Sequence, residues 1–457
     1  MTTTTQSPNS AHTRNVRDIR KIVDNIGWLF FDKVLRLVVG LAIGVWVARY
    51  LGPSDYGLLN YAISFVALFA SLALLGLNNI VVRDLVMNPA DRDAILGTSF
   101  ILKLVGGIAS IIVAVAVQWI LQPGEVLVMI LVVVIAAGFL FQALDVIDFW
   151  FQAKVLSKYI IWAKLASLVV SALLRVVCIL INAPVLAFAI IVTLDLLLGA
   201  AGLLLVYRST GGTFRTWRWD TGMARSLMRD SWPLAIAAVS SMTYMKIGQV
   251  FIKAMLGDHE LGLYSASVTI AEIWYFIPMV ITQTFLPVIL KTKKISQELY
   301  IARLQMLYDV MTMMSIVVSI IVTLFANPII QLLYGDSYAG SGIILAIYFW
   351  AGIPLSLTMV STQYIVSENF TTISIYRSVA GALSNVLLNI VLIPRYGIVG
   401  AAWAVIISYS LVTMIIGLFG KTRQQAYCIL QSFNVFRILV SWTALVKEFI
   451  AHYRKTG

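Results

Sequence analysis

The sequence predicts an all-α polytopic membrane protein with about twelve transmembrane helices. Three observations predict it. Sixty per cent of the residues are hydrophobic and only 12% are charged, whereas a soluble domain carries about 25% charged residues. The apolar residues stand in continuous runs of about 20, the length that crosses the hydrocarbon as a helix. These runs do not alternate, which excludes a closed barrel, the other architecture that satisfies every backbone group in lipid. Finally, most Lys and Arg fall in alternate connections between the runs, the charge pattern of a multi-span membrane protein.

The elements follow in order. Residues 1–24 form a polar, basic segment expected in the cytoplasm. It lacks a short apolar core followed by a small-residue cleavage site, so the first run is expected to stay as a membrane helix. Six spans, centred near Val38, Phe65, Ile108, Val133, Leu168 and Asp195, make a first bundle over residues 25–207. The polar stretch 208–230 is a basic linker. Six more spans, centred near Val239, Trp274, Ile316, Trp350, Asn385 and Ile407, make a second bundle over residues 231–420. The tail, 421–457, is apolar in patches but broken by charges, and is expected to lie as an amphipathic helix on the inner leaflet.

The net charge of +12 belongs to this topology and does not imply a nucleic-acid partner. Basic clusters sit in the N-terminal segment (Arg14, Arg17, Arg20, Lys21), the linker (Arg208, Arg215, Arg218, Arg225, Arg229) and the eighth connection (Lys291, Lys293, Lys294, Arg303). The odd connections hold almost none, Arg49 and Arg395 being exceptions. Positive residues stay inside, so both termini are expected in the cytoplasm. The odd connections are also very short, which leaves no room for a large external domain. The two cysteines, Cys178 and Cys428, fall in the fifth span and the tail, so no disulfide is expected. With three histidines in the chain, neither a metal site nor a cofactor is expected.

The stretch "ARYLGPSDYGLLNYAIS" (48–64) has an echo in "KAMLGDHELGLYSASVT" (253–269). Leu51-Gly52 matches Leu256-Gly257, Gly57-Leu58 matches Gly262-Leu263, and Asp55 falls opposite Glu260. Each stretch connects the first and second spans of a six-span half, in the same orientation. Parallel repeats of this kind build transporters, because a site between two halves can open to one side and then the other.

Five stretches carry a family resemblance: "ARYLGPSDYGLLNYAIS", "LGLNNIVVRDL", "DFWFQAKVLSKY", "LGLYSASVTIAEIWYFIP" and "IPRYGIVGAAWAVIISY". Taken in order, they resemble the polysaccharide, or O-antigen, flippases of the multidrug/oligosaccharidyl-lipid/polysaccharide exporter superfamily, over roughly residues 25–420. Asn78-Asn79 departs from the acidic residue expected after "LGL". The resemblance implies a fold like that of the multidrug and toxin extruders, two six-helix bundles around a V-shaped central cleft. It implies a substrate, an oligosaccharide repeat unit on undecaprenyl pyrophosphate, moved from the cytoplasmic to the periplasmic leaflet of the bacterial inner membrane by cation-coupled alternating access. A polysaccharide polymerase and a chain-length regulator are the protein partners it implies, alongside membrane lipids.

A dianionic pyrophosphate crossing about 30 Å of hydrocarbon needs a basic path, so cations deep in the spans are the candidates. Each costs about 2.5–3.5 kcal/mol at a helix centre. Lys33 and Arg36 are three residues apart on one face of the first span, with Asp32 at ion-pair spacing from Arg36. Lys33 lies about 13 Å along the helix from its inner end, at 1.5 Å per residue, which strains snorkelling as an explanation. Lys246 is near the middle of span seven, where snorkelling works least well, and occupies the repeat-equivalent helix to the first. Arg175 is deep in span five, with Asp195 of span six as an alternative structural partner. Lys103, Lys164 and Arg377 lie nearer the inner ends, where snorkelling competes with a binding role; Lys253 could snorkel outward. Glu272, in mid-membrane beside Pro278, and Asp32 are candidates for ion coupling, since a buried carboxylate can exchange a proton as its surroundings change. A structural pair of Glu272 with Lys246 is the competing reading. Asp309 and Asp145 are expected near the inner interface.

Two other classes compete. A cation-coupled multidrug exporter would favour an acidic or apolar cavity, whereas Lys and Arg dominate the intramembrane charge here. An enzyme would need positioned acid, base or metal-ligating groups, usually on large external loops, and no catalytic residue is assigned. A flippase for the peptidoglycan precursor shares the undecaprenyl pyrophosphate and differs only in the headgroup.

Overall fold

The computed structural model describes residues 8–434 except 369, and residues 437–438, with side chains from residue 33 onward except 157–159 and 371. The described residues hold ten helical stretches long and apolar enough to cross a membrane. Two of these run for 55 and 47 residues, about 80 and 70 Å at 1.5 Å per residue, more than twice the hydrocarbon thickness. Each is bent at a glycine, Gly52 (φ 69°, ψ 172°) in the first and Gly397 (φ 59°, ψ −143°) in the last. Among the described residues there are thus ten such stretches, two of them long enough to cross twice, against the about twelve spans that the apolar runs predict.

The chain divides into two compact units. The first is residues 1–51 and 58–239; the second is residues 52–57 and 240–457. The helix α1 (Pro8–Leu74), in the first unit apart from residues 52–57, is followed there by α2 (Asn78–Met87), α3 (Arg92–Leu121), α4 (Val126–Ala136), α5 (Gly138–Gln142), α6 (Val146–Ala153), α7 (Ser157–Leu180) and α8 (Val185–Ser209). The helix α9 (Thr221–Leu256) begins in the first unit and ends in the second. There follow α10 (Asp258–Trp274), α11 (Phe276–Thr292), α12 (Gln297–Tyr334), α13 (Ser341–Tyr348), α14 (Gly352–Ser367), α15 (Thr371–Met414) and α16 (Arg423–Gln431).

Local chemistry explains the breaks. Pro278 has no N–H to bond the carbonyl of Trp274, four residues earlier, and the helix breaks there between α10 and α11. Pro354 does the same to Trp350, where a 3₁₀ turn over Phe349–Ala351 separates α13 from α14. The start of α12 is capped by Ser296, whose hydroxyl accepts from the Leu299 amide at 3.3 Å. Gly52 and Gly257 (φ 92°, ψ −178°) share a backbone conformation that is essentially glycine-only. This is why the repeated stretch carries Leu-Gly at both places.

The first unit's core ties α2, α3, α6 and α8 together around Leu77, Ile147, Phe151 and Leu203, with Trp150 and Tyr207 in the same cluster. The basic linker folds onto it. Trp217 donates to the Tyr207 hydroxyl at 3.0 Å, and Arg92 lies over the Trp150 ring at 4.7 Å. In the second unit, α12 is the hub, packing on α11, α13, α14 and α16. Its core includes Leu304, Tyr308, Met311 and Leu357, with Cys428 and Ile429 from α16. The described part of the tail is therefore a helix with a buried face. Both cysteines are free thiols.

Candidate functional site

Each unit carries its own set of charges inside the spans. In the first unit Lys103 on α3 is only 1% exposed, with its ammonium 3.9 Å from Asp145 Oδ2 and 4.8 Å from the centre of the Phe149 ring. Position along the helix suggests snorkelling for Lys103; packing instead encloses it. Lys164 on α7 pairs closely with Asp148 on α6, and Gln152 donates to the same carboxylate at 2.8 Å. Asp145 and Asp148 are three residues apart, so they share a face and supply two carboxylates to two lysines. Asp148 escapes a search for cations, although an acid five residues inside the end of a span is itself the signal that could have found it.

Arg175 on α7 is half-buried and forms no ion pair among the described residues. The proposed structural partner Asp195 has a buried Oδ1 without a hydrogen bond, and the two do not approach within 4 Å. Lys33 is exposed and Arg36 half-buried on α1, whose neighbouring Leu35 and Val39 pack against Ile161, Leu165 and Leu168 of α7. The Asp32 side chain lies outside the described residues.

In the second unit Lys246 on α9 donates to Glu272 Oε1 on α10 at 2.7 Å, with side chains 19% and 30% exposed. Lys253, two turns on, donates to Asp258 at 2.6 Å and is only 3% exposed on its side chain. It is thus neutralised inside the fold and does not reach outward. Asp309, expected at the interface, is buried by the tail: Arg437 pairs with it, and Gln305 donates to it at 2.8 Å. Arg377 on α15 differs from all of these. It is 2% exposed, and its guanidinium donates to the hydroxyls of Ser361, at 2.7 Å, and Thr362 on α14. Its Nε has no hydrogen-bond partner, and no carboxylate lies within ion-pair distance among the described residues. Hydroxyls can satisfy donors but cannot neutralise the charge.

The polysaccharide biosynthesis protein family matches residues 22–293, more than half of the chain. The chain belongs to that family. Its curated relatives include an uncharacterised membrane protein of Methanocaldococcus jannaschii, 25% identical over 244 residues, covering 50% of this chain and 56% of that one. Another is the capsular polysaccharide biosynthesis protein CapF of Staphylococcus aureus, 25% identical over 184 residues, covering 38% and 45%. The chain thus spans about half the length of these relatives. Among solved structures, an inward-facing multidrug resistance MATE family transporter aligns with a TM-score of 0.66 at 16% identity, covering 86% of this chain and 94% of that one. The lipid II flippase MurJ, in an inward closed conformation, aligns with a TM-score of 0.65 at 14% identity, covering 92% and 93%. This member of the polysaccharide biosynthesis family is therefore a multi-pass membrane protein with a MATE-like fold.

Proposed function

We propose that this protein is a flippase that moves undecaprenyl-pyrophosphate-linked oligosaccharide units from the cytoplasmic to the periplasmic leaflet, by alternating access. Family membership and the parallel repeat support the reading. The single observation that carries it is Arg377: a guanidinium kept inside the spans, held by two hydroxyls and, among the described residues, without a carboxylate at ion-pair distance. A permanent charge in that setting is costly unless an anion joins it, and a pyrophosphate is such an anion. Lys103, Lys164 and Lys246 already have carboxylate partners, so on this reading they contribute by exchanging those partners for substrate. Lys33, Arg36 and Arg175 complete the basic path. Glu272 and Asp32 couple the cycle to a cation gradient, Glu272 through its pair with Lys246. The protein works in the bacterial inner membrane with both termini in the cytoplasm, delivering units to a polymerase and its chain-length regulator.

The test is translocation of a labelled undecaprenyl-pyrophosphate oligosaccharide in proteoliposomes. Wild type is expected to transport. Arg377→Gln, by losing charge-assisted hydrogen bonds of about 1.5–3 kcal/mol, is expected to slow transport by about tenfold to a hundredfold, and Lys246→Met to abolish it. Folded wild-type protein that moves no substrate under a cation gradient would overturn the reading in favour of a drug exporter.

A further inference from the structure

The helices α11 and α12 leave an apolar groove of about 320 Å³ between them, within the second unit. Its walls are Phe285, Val288 and Ile289 on α11 and Met306, Leu307 and Val310 on α12, and one residue of its lining is charged, Arg303. Phe285 and Val288 are each 55% exposed, although both sit inside a span where the surrounding medium is lipid. From Ile281 to Ile289 the groove runs for about 12 Å at 1.5 Å per residue. That is most of one leaflet, about 15 Å or half the hydrocarbon core.

Arg303 closes the end of the groove next to the connection carrying Lys291, Lys293 and Lys294. Among the described residues Arg303 forms no ion pair, and Lys293 is matched by Glu368 at 2.7 Å. Counting Glu298 in the first turn of α12 against Lys291, Lys294 and Arg303 leaves a net positive rim. An apolar slot about 12 Å long, most of one leaflet, with a cation at its mouth is complementary to a lipid that carries a phosphate.

We propose that this groove binds an anionic phospholipid, with one acyl chain between α11 and α12 and the phosphate on Arg303. The membrane setting, the groove and its charge stand whether or not the protein is a flippase. The full chain, delipidated in a neutral detergent, is titrated with phosphatidylglycerol and with phosphatidylcholine of the same acyl chains, and bound lipid is counted by native mass spectrometry. Wild type is expected to prefer phosphatidylglycerol. Arg303→Gln is expected to cut that preference about fivefold, the worth of one basic side chain near an anionic surface. Val288→Trp, which fills the groove, is expected to weaken both lipids. An unchanged preference in both Arg303→Gln and Arg303→Glu would overturn the proposal, as would unchanged binding of both lipids to Val288→Trp. A polyprenyl phosphate that displaces phosphatidylglycerol and binds more tightly through Arg303 would also overturn it, by giving the groove to a different lipid.

Discussion

Replacing Gly262 by alanine is expected to destabilise the protein by about 3 kcal/mol, the upper end of the range for overpacking. In the second unit, residues 52–57 lie on the start of α10 with no room between the backbones. A Cβ built on Gly262 would stand 1.9 Å from the Pro53 carbonyl oxygen, and one on Gly57 2.0 Å from the Asp258 oxygen. The contact is reciprocal: each glycine of the repeated stretch meets the residue four places before its counterpart. Real Cβ atoms essentially never come closer than 3.0 Å, so the alanine requires a shift of 3.0 − 1.9 = 1.1 Å. Both clashing groups are main chain, so no side-chain rotation can relieve it. The shift also pulls at the 3.3 Å hydrogen bond between Tyr56 and Thr269 and the edge-on contact of Tyr56 with Tyr338. The assay is thermal unfolding of the purified chain in detergent, read by tryptophan fluorescence. Gly44→Ala is the control, because that helical glycine has nothing within 4 Å and alanine should stabilise it by about 0.5–1 kcal/mol. If Gly262→Ala unfolds at or above the temperature of Gly44→Ala, the close approach of the two backbones is refuted.

Two further outcomes are expected. Lys246→Met and Glu272→Gln should each lower stability by about 1–2 kcal/mol, less than the 3–5 kcal/mol of a fully buried pair because both side chains are partly exposed; the double variant should recover most of the loss, and strictly additive losses in a double-mutant cycle would disprove the pairing. Burial by α12 pushes the Cys428 thiol up to about 11 from its ordinary 9.0, so less thiolate is present at any lower pH. Maleimide labelling near pH 8 should therefore run at least about a hundredfold slower than for a free cysteine and rise about tenfold per pH unit; rapid labelling at pH 8 would contradict the docking of α16.

Some of this architecture is local information. An apolar run long enough to span is visible in any window of the chain, which is why the crossings centred near Val38 and Phe65, or Asn385 and Ile407, can be read even where a single bent helix contains both. Leu51-Gly52 and Leu256-Gly257 could likewise be read as equivalent, because a backbone conformation open only to glycine leaves its mark in the residue itself. Proline is a weaker local signal: Pro278 and Pro354 follow helix breaks, whereas Pro287 lies inside α11 without one. The sequence by itself therefore determined the membrane class, the number and order of the crossings, and the repeat.

The tertiary structure alone decided which charges are neutralised. Lys246 and Glu272 are 26 residues apart, Lys164 and Asp148 are 16, and Arg437 reaches Asp309 across 128. Depth along a helix distinguishes a snorkelling cation from a buried one only if the neighbouring face is known. For Lys103 that face held Asp145 and Phe149; among the described residues Arg377 met two hydroxyls and no carboxylate, and Arg175 no carboxylate within ion-pair distance. A hydrophobic run is stabilised by lipid whatever lies beside it, so composition suffices to find it. An ion pair needs two particular side chains within about 4 Å, and only the packing of one helix face on another supplies that.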